Sequence, residues 1–369
     1  MTGRQLVAEP TKTVKCLVWD LDNTLWQGVL LEGDDVQLSE ETRTLLSTLD
    51  ARGILQSVCS KNDFADAWER LEKLGVAEYF VHPAIGWGPK SAAVRDIAER
   101  LQFAEDTIAF VDDQPAERAE VEFHLPKVRC YAAEQLPELA GLPEFSPAVV
   151  TQDSRRRREM YQAGLRRDAE RETFAGPDER FLRSLELVAT IAPAGDEELL
   201  RVEELTLRTS QMNATGVHYS HEMLASLVKD PRHRVLTVTM SDRFGPYGAV
   251  GVMLLELHEH VWNLKLLATS CRVVSLGAGT LILNWIADQA ARADAHLAAD
   301  FRRNERNRMM EVAYRFAGYT TDTCDCLGIL PPPDPSDVER LHLVPVMHDA
   351  SSTVRLNAPD LRGMHGQPA

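Results

Sequence analysis

Positive charge is what this chain has least of. Forty lysines and arginines face 56 aspartates and glutamates, a net charge of −16. That excludes a general nucleic-acid binder, which needs a basic surface to hold phosphates. Long apolar runs are missing too. None is long enough to span a bilayer, and Met1 to Lys15 has no apolar core of the secretory-signal kind. Cysteine is sparse, with six residues in 369 and no disulfide-framework spacing. Cys324-Asp325-Cys326 is a lone C-x-C without a second ligand pair, so zinc is not expected. His218, His258 and His260 show no metal spacing either. These absences lead to the expectation of a reduced, cytoplasmic protein that binds neither nucleic acid nor membrane. The length allows two or three domains, and the 44% hydrophobic and 26% charged fractions are ordinary for a soluble globular chain.

What is present gathers around Val18-Trp19-Asp20-Leu21-Asp22-Asn23-Thr24-Leu25-Trp26. The apolar run Cys16 to Trp19 reads as a buried strand that stops at Asp20, with Asp22 two residues on. Ligands of open α/β sheets bind at the carboxyl ends of the strands. Two carboxylates so spaced suit phosphoryl chemistry, one attacking phosphorus and the other handling the leaving group's proton. A dianionic phosphate repels a carboxylate nucleophile, which calls for a hard cation with oxygen ligands, Mg²⁺. The same residues also read as an ordinary turn in which Asp22 and Asn23 satisfy local backbone donors.

Downstream, residues 40–52 read as a helix, and a strand from Ile54 to Val58 runs into Cys59-Ser60-Lys61-Asn62. Residues 64–75 carry Phe64, Ala67, Trp68, Leu71 and Leu74 at helical spacing. Tyr79 to His82 reads as a strand, Lys90 opens another helix, and the strand Ile108 to Val111 ends in Asp112-Asp113. Alternating strands and helices give a doubly wound parallel sheet of the α/β class. The groups Asp20/Asp22, Ser60, Lys90 and Asp112/Asp113 fall at its ligand-binding edge. Singly, each has a plainer reading: Ser60 as a helix cap, Lys90 as a solvated helix-start residue. Neither the segment after Thr24 nor the stretch between Ser60 and Lys90 has room for a folded cap domain. An open, capless site is expected, suited to bulky or protein-tethered substrates.

In this order and chemistry the four groups resemble the haloacid dehalogenase (HAD) superfamily. The resemblance implies that Asp20 is the nucleophile, Asp22 the general acid/base, and Lys90 the cation that neutralises nucleophile and phosphate. It implies phosphate contacts from Thr24, Ser60, Lys61 and Asn62, and Mg²⁺ held by Asp20, Asp22, Asp112 and Asp113. The wording Asp20-Leu-Asp-Asn-Thr-Leu-Trp26-Gln-Gly28, Cys59-Ser-Lys-Asn62, Pro89-Lys-Ser91 and Val111-Asp-Asp-Gln-Pro-Ala-Glu117-Arg118 resembles the FkbH-like group, HAD subfamily IIIC. That implies capture of the glyceryl group of 1,3-bisphosphoglycerate, its dephosphorylation, and delivery as a thioester to the phosphopantetheine arm of an acyl carrier protein in polyketide biosynthesis. Such chemistry calls for a thiol. Cys59 reads either as a thiolate activated by a nearby lysine, metal or helix N-terminus, or as a buried strand-end cysteine; the resemblance favours the first.

Residues 12–135 are read as this domain. Residues 136–190 are read as a linker whose basic helical segment (Arg155 to Arg158, Arg166, Arg167) is either a solvated face or a docking surface for an acidic carrier. A second α/β domain is expected over 191–325. Its loop Cys271-Arg272-Val-Val-Ser-Leu-Gly277-Ala-Gly279, between a strand and an apolar-faced helix, reads as a phosphate cradle. With its flanking strands this resembles the GNAT acyltransferase fold, which implies pantetheine or CoA contacts from Arg272, Gly277 and Gly279. Ser275-Leu276 departs from the Gly-Arg more usual in the family. Residues 326–369 are read as a Pro-rich tail with one strand, Leu341 to Met347, and a disordered end. The rival functions are a plain Mg²⁺ phosphatase on a small or carrier-bound phosphoester, a carrier-binding module with a vestigial site, and a CoA-dependent N-acyltransferase run from the second domain.

Overall fold

The computed structural model describes residues 12–147, 149–208, 212–305, 307–333 and 337–364. The chain divides into two compact units after Ala169. In the first, β1 (Cys16–Trp19) is followed by α1 (Glu40–Ala51), β2 (Leu55–Ser60), α2 (Phe64–Lys73), β3 (Ala84–Ile85), α3 (Lys90–Arg100), β4 (Ile108–Asp112), α4 (Pro115–His124) and β5 (Arg129–Ala132). The strands are all parallel, in the order β3-β2-β1-β4-β5. The chain leaves β1 for β2 on one side and returns to β4 on the other. The topological switch point therefore lies at the carboxyl ends of β1 and β4, where open sheets bind ligands.

A parallel sheet covered on both faces needs strands that are apolar throughout. In β1 the alternation splits those residues between two cores. Leu17 and Trp19 pack with Leu46 and Leu49 of α1 and Leu71 of α2, while Cys16 and Val18 pack with Val94 and Ile97 of α3 and Val121 of α4. Ser39 caps α1 by accepting from the Thr42 N–H, and Asp63 caps α2 by accepting from those of Ala65 and Asp66. Between β1 and α1 lie only turns, a short 3-10 helix (Leu30–Glu32) and two isolated bridges, Asp22 with Trp26 and Gln27 with Gln37. Between β2 and α3 lie α2, a 3-10 turn (Ala77–Tyr79) and β3. Neither interval holds a separate domain, as the spacing implied. The strand expected at Tyr79 to His82 is reduced to one parallel bridge beyond the 3-10 turn, Phe80 with Gln56 of β2, and the two-residue strand β3, Ala84–Ile85, pairs next with Cys59 and Ser60.

Residues 136–169 are not a linker. Leu139 and Phe145 are buried in the first unit's core. Gly53, at φ +72°, lies so close to Ser154 that a Cβ on it would sit 2.4 Å from the Ser154 carbonyl oxygen. Arg157 donates to the Gly53 carbonyl (2.7 Å), and Arg158 donates to both Asp50 carboxylate oxygens (2.9 and 3.2 Å) and to the Glu78 carbonyl (2.9 Å). Two of the arginines read as a solvated or docking face are ties within the unit.

The second unit is built on a seven-stranded mixed sheet. β6 (Leu187–Pro193), β7 (His233–Asp242), β8 (Gly245–Leu257) and β9 (Val261–Thr269) run antiparallel in sequence. β10 (His296–Phe301) joins β9 in parallel after the helix Ala278–Arg292. β11 (Glu339–Leu343) and β12 (Val354–Asn357) close the two edges, on β10 and β6. The expected class, a doubly wound parallel sheet followed by a second α/β domain, is what the chain has. The boundaries move: β6 begins in the range read as linker, and β11 and β12 lie in the range read as tail. Residues 365–369, within the end expected to be disordered, lie outside the described residues. No described helix is long and apolar enough to cross a membrane.

Arg158→Ala is expected to cost the first unit about 1–3 kcal/mol in chemical denaturation, because it strips partners from a half-buried carboxylate. Arg156→Ala, which removes an exposed pair with Glu159, is expected to stay within about 0.5 kcal/mol. Near-zero loss for both would restore the solvated-face reading.

Candidate active site

β1 stays in register with β4 to its end, the Asp20 N–H donating to the Val111 carbonyl (3.0 Å). Lys90, the first residue of α3, turns its side chain back over the strand ends. Its Nζ donates to Asp20 Oδ1, to Asp112 Oδ2 (2.9 Å) and to the Cys59 carbonyl (3.1 Å), and lies 3.4 Å from Glu117 Oε2. One ammonium thus ties together the ends of β1, β2 and β4. Lys90, Asp20 and Asp112 are 4%, 5% and 1% exposed, so water does little to support any of the three charges. Burial pushes Asp20 up to about 7 against the opposing pull of Lys90, with the Asp112 charge adding to the rise. For Lys90 burial acts downward, but Asp20 and Asp112 outweigh it and hold the ammonium above its ordinary value.

The β4 end is fixed from its own side. Asp112 Oδ1 accepts from the Gln114 N–H (2.7 Å), Thr24 Oγ1 accepts from the Asp113 N–H (2.9 Å), and Arg118 donates to the Asp112 and Asp113 carbonyls (2.6 and 2.9 Å). Asp20, Asp112 and Asp113 each bring one carboxylate oxygen within 4.8 Å of the others. Asp113 Oδ1 is buried without a hydrogen-bond partner. The carboxylates of Asp20, Asp112, Asp113 and Glu117 outnumber the ammonium groups of Lys90 and Lys61. A surplus of buried oxygen charge with an orphaned acceptor fits a hard divalent cation such as Mg²⁺.

Two assignments change. The Asp22 carboxylate is not gathered with the other three. Its Oδ1 accepts from Trp26 Nε1 (2.9 Å) and the Leu30 N–H (3.0 Å), and its Oδ2 from Asn62 Nδ2 (2.8 Å). The geometry therefore gives its side chain no ligand role, while leaving it beside the site. The second is Cys59. Its carbonyl faces Lys90, but its side chain, 2% exposed, sits in the core with Val81, Val94 and Ile97, and its Sγ contacts the Lys90 carbonyl at 3.8 Å. Burial pushes the thiol up to about 12, with Lys90 opposing, the reverse of an activated thiolate.

The remaining expected residues are brought together at the β2 end. Asn62 Nδ2 also reaches Ser60 Oγ (3.3 Å), and its own Oδ1 is buried without a partner. Lys61 pairs with Glu117 Oε1 at 2.6 Å. Sequence reasoning assigned no role to Glu117 or Arg118. Glu117 holds both site lysines, and the signal for it was an acid in the first turn of the helix following Asp113. An open hollow of about 970 Å³ begins at Thr24 and Asp113 and runs past Trp26 to Leu136. In the second unit the stretch expected as a glycine loop is a 3-10 helix, Cys271–Leu276, followed by Gly277 at φ +76°; Gly279 lies in the first turn of the helix Ala278–Arg292, and Arg272 Nε donates to Ser270 Oγ (3.3 Å).

No protein-family model matches this chain, and no curated protein does. Among solved structures it is similar to the N-terminal part of protein BF1531 from Bacteroides fragilis, which contains a phosphatase domain and is complexed with Mg. There the identity is 31% and the TM-score 0.31, over 32% of this chain and 36% of that one. It is also similar to a HAD-superfamily hydrolase from Ehrlichia chaffeensis (14% identity, TM-score 0.28, 33% of this chain and 88% of that one). A third likeness is to the ribosomal-protein-S18-alanine N-acetyltransferase from Escherichia coli (15% identity, TM-score 0.31, 44% of this chain and 97% of that one).

Lys90→Met is expected to cost about 3–5 kcal/mol in Mg²⁺-free denaturation, since it leaves two facing carboxylates unpaired; a loss below about 1 kcal/mol would show that the pair is not buried as described. For Cys59, alkylation of the folded protein at pH 8 is expected to be at least about a hundredfold slower than in denaturant. Labelling at the denatured rate, mapped by peptide mass, would mark the thiol as accessible.

Proposed function

We propose that the first unit is a Mg²⁺-dependent phosphatase or phosphotransferase of the HAD type, with Asp20 as its nucleophile. The observation that supports it is the buried Lys90 ammonium held between Asp20 and Asp112 at the ends of neighbouring parallel strands, with Asp113 beside them. Asp20 attacks phosphorus and carries the phosphoryl group as an acyl phosphate until water removes it. Lys90 offsets the charge that gathers on nucleophile and phosphate. Asp22 would exchange one of its present donors for the substrate. It would act in its protonated form as the acid that gives its proton to the leaving oxygen, and then as the carboxylate that takes one from the water attacking the acyl phosphate. Asp20, Asp112 and Asp113 would hold Mg²⁺, which supplies the charge that lets a phosphate approach ionised carboxylates. Ser60 Oγ and the Lys61 ammonium would meet phosphoryl oxygens, Lys61 by exchanging its Glu117 partner for the substrate.

Within that reading, the substrate is 1,3-bisphosphoglycerate and the glyceryl acceptor is the phosphopantetheine thiol of an acyl carrier protein. The motif wording supports this, and an open site leaves room for a tethered arm. Given the buried state of Cys59, the carrier's own thiol attacks the acyl carbon and expels phosphate, while Asp20 removes the remaining phosphoryl group.

Phosphate release from an acyl phosphate or phosphoester in the presence of Mg²⁺ is expected to fall by about 10³ or more in Asp20→Asn with the fold intact; full activity in that variant overturns the mechanism. With 1,3-bisphosphoglycerate and a carrier protein, intact-mass spectrometry is expected to show a glyceryl group on the pantetheine arm for both the native chain and Cys59→Ala. Phosphate release without carrier loading leaves a plain phosphatase. A glyceryl adduct on Cys59, with loading lost in Cys59→Ala, restores the cysteine relay.

A further inference from the structure

Four soft ligand atoms converge at the β11 edge of the second unit's sheet. The β10–β11 register sets Ala298 opposite His342, so His296, two residues before Ala298 and on the same face, is the diagonal neighbour of His342. The segment after the helix Arg308–Phe316 folds back over this corner. Thr320 and His342 exchange both backbone hydrogen bonds (2.9 and 2.8 Å), and a 3-10 turn, Asp325–Ile329, begins just after Cys324. Leu327, Leu330 and Cys326 pack on Val261 of β9 and Ala298 of β10. The two cysteines are thereby carried onto the two histidines.

The distances are those of a coordination shell. His296 Nδ1 and His342 Nε2 lie 3.1 Å apart, Cys324 Sγ lies 3.5 Å from His296 Nδ1, and Cys326 Sγ lies 3.5 Å from His342 Nε2. All four atoms fall within 4.8 Å of one another. A tetrahedral zinc with its usual bond lengths spaces two nitrogens by about 3.3–3.4 Å and a nitrogen and a sulfur by about 3.5–3.6 Å. Hydrogen bonding explains the convergence poorly, since a thiol is a weak donor and two neutral imidazoles have one good N–H···N bond to make between them. Among the described residues no carboxylate shares the cluster, and two thiols with two imidazoles suit zinc rather than a hard cation.

We propose that His296, Cys324, Cys326 and His342 form a closed, structural Zn²⁺ site. With four protein ligands it keeps no open position for catalysis. Its effect is to tie segment 320–330 to the sheet edge, so that the ion's binding energy becomes folding energy of the second unit. This corrects the expectation that Cys324-Asp325-Cys326 has no second ligand pair. The pair exists, but it lies 28 and 16 residues away along the chain and is assembled by strand register rather than by local spacing. The proposal is independent of the first unit's chemistry.

The full chain, produced in zinc-supplemented medium and purified without chelator or polyhistidine tag, is expected to carry one zinc per polypeptide by elemental mass spectrometry. Cobalt exchanged in its place is expected to give thiolate-to-metal charge-transfer absorption together with tetrahedral visible bands. C324S/C326S is expected to lose both metals and bands, and His296→Ala to weaken zinc retention against a competing chelator by about tenfold or more. Should the variants fail to fold, the native chain serves as its own control. Stripped with chelator, it is expected to melt at least about 5 °C lower and to recover on adding Zn²⁺ alone. Less than about a tenth of an equivalent of zinc after titration overturns the proposal, as do a cobalt spectrum without thiolate bands and a Cys324–Cys326 disulfide in protein kept under reductant.

Discussion

With water excluded from Lys90, Asp20 and Asp112, each of the three charges is stable only because of the others. The ammonium bridges carboxylates on adjacent parallel strands and also takes the carbonyl at the end of β2. That single contact set holds three strand ends at fixed spacing, and everything else in the site is arranged from it. Asp113 follows Asp112 and is pinned through Thr24, Glu117 reaches Lys90 and Lys61 from the next helix, and Arg118 locks the carbonyls beneath. Removing one charge from such a group leaves the rest uncompensated, which is why buried ion pairs are costly to break even where they add little net stability. Charge kept in deficit at a strand edge suits a site that works by receiving a cation and an anion together.

The same packing that builds this centre explains why its neighbouring thiol is quiet. Along β2, Val58 falls in the core under α1 and α2 while Cys59 falls in the core under α3 and α4. Period-two alternation puts the Cys59 thiol among Val81, Val94 and Ile97, where burial raises its pKa and the Asp20 and Asp112 charges add to the rise, while its carbonyl is left for Lys90. Adjacency in sequence to Ser60 suggested a shared role, and the pleat separates them. Asp22 shows a related effect: its carboxylate is spent on Trp26, Leu30 and Asn62, which shape the turn leaving β1.

The two candidate metal centres follow opposite chemistries for reasons of position. The first is an oxygen set at the ends of fully buried parallel strands, where carboxylates are in surplus. The second is a nitrogen and sulfur set at a sheet edge, where the returning segment 320–330 has only Leu327, Ile329 and Leu330 as large apolar residues. Small clusters with thin cores are where a metal adds most to folding.

Much of the first unit was legible along the chain because its signals are local. Apolar runs of strand length, helical periodicity in residues such as Ala67 and Leu71, and polar residues at each strand's end identify a doubly wound sheet and its working edge without reference to contacts. The absence of a cap was legible from spacing alone. What local sequence does not encode is pairing between distant segments. β12 is only four residues long and lies in the range read as tail, and β6, though its Leu187, Ala189 and Ile191 alternate inward, begins in the range read as linker; the two pair with each other at a sheet edge. The role of Arg158 depends on Asp50, 108 residues away, and the histidines that complete the cysteine pair depend on the register of β10 and β11. Sequence by itself determined most element types of the first unit, the order of the candidate site groups and the surplus of acid. Tertiary structure alone decided which side chains face one another, because strand register and crossover topology, not proximity along the chain, set those distances.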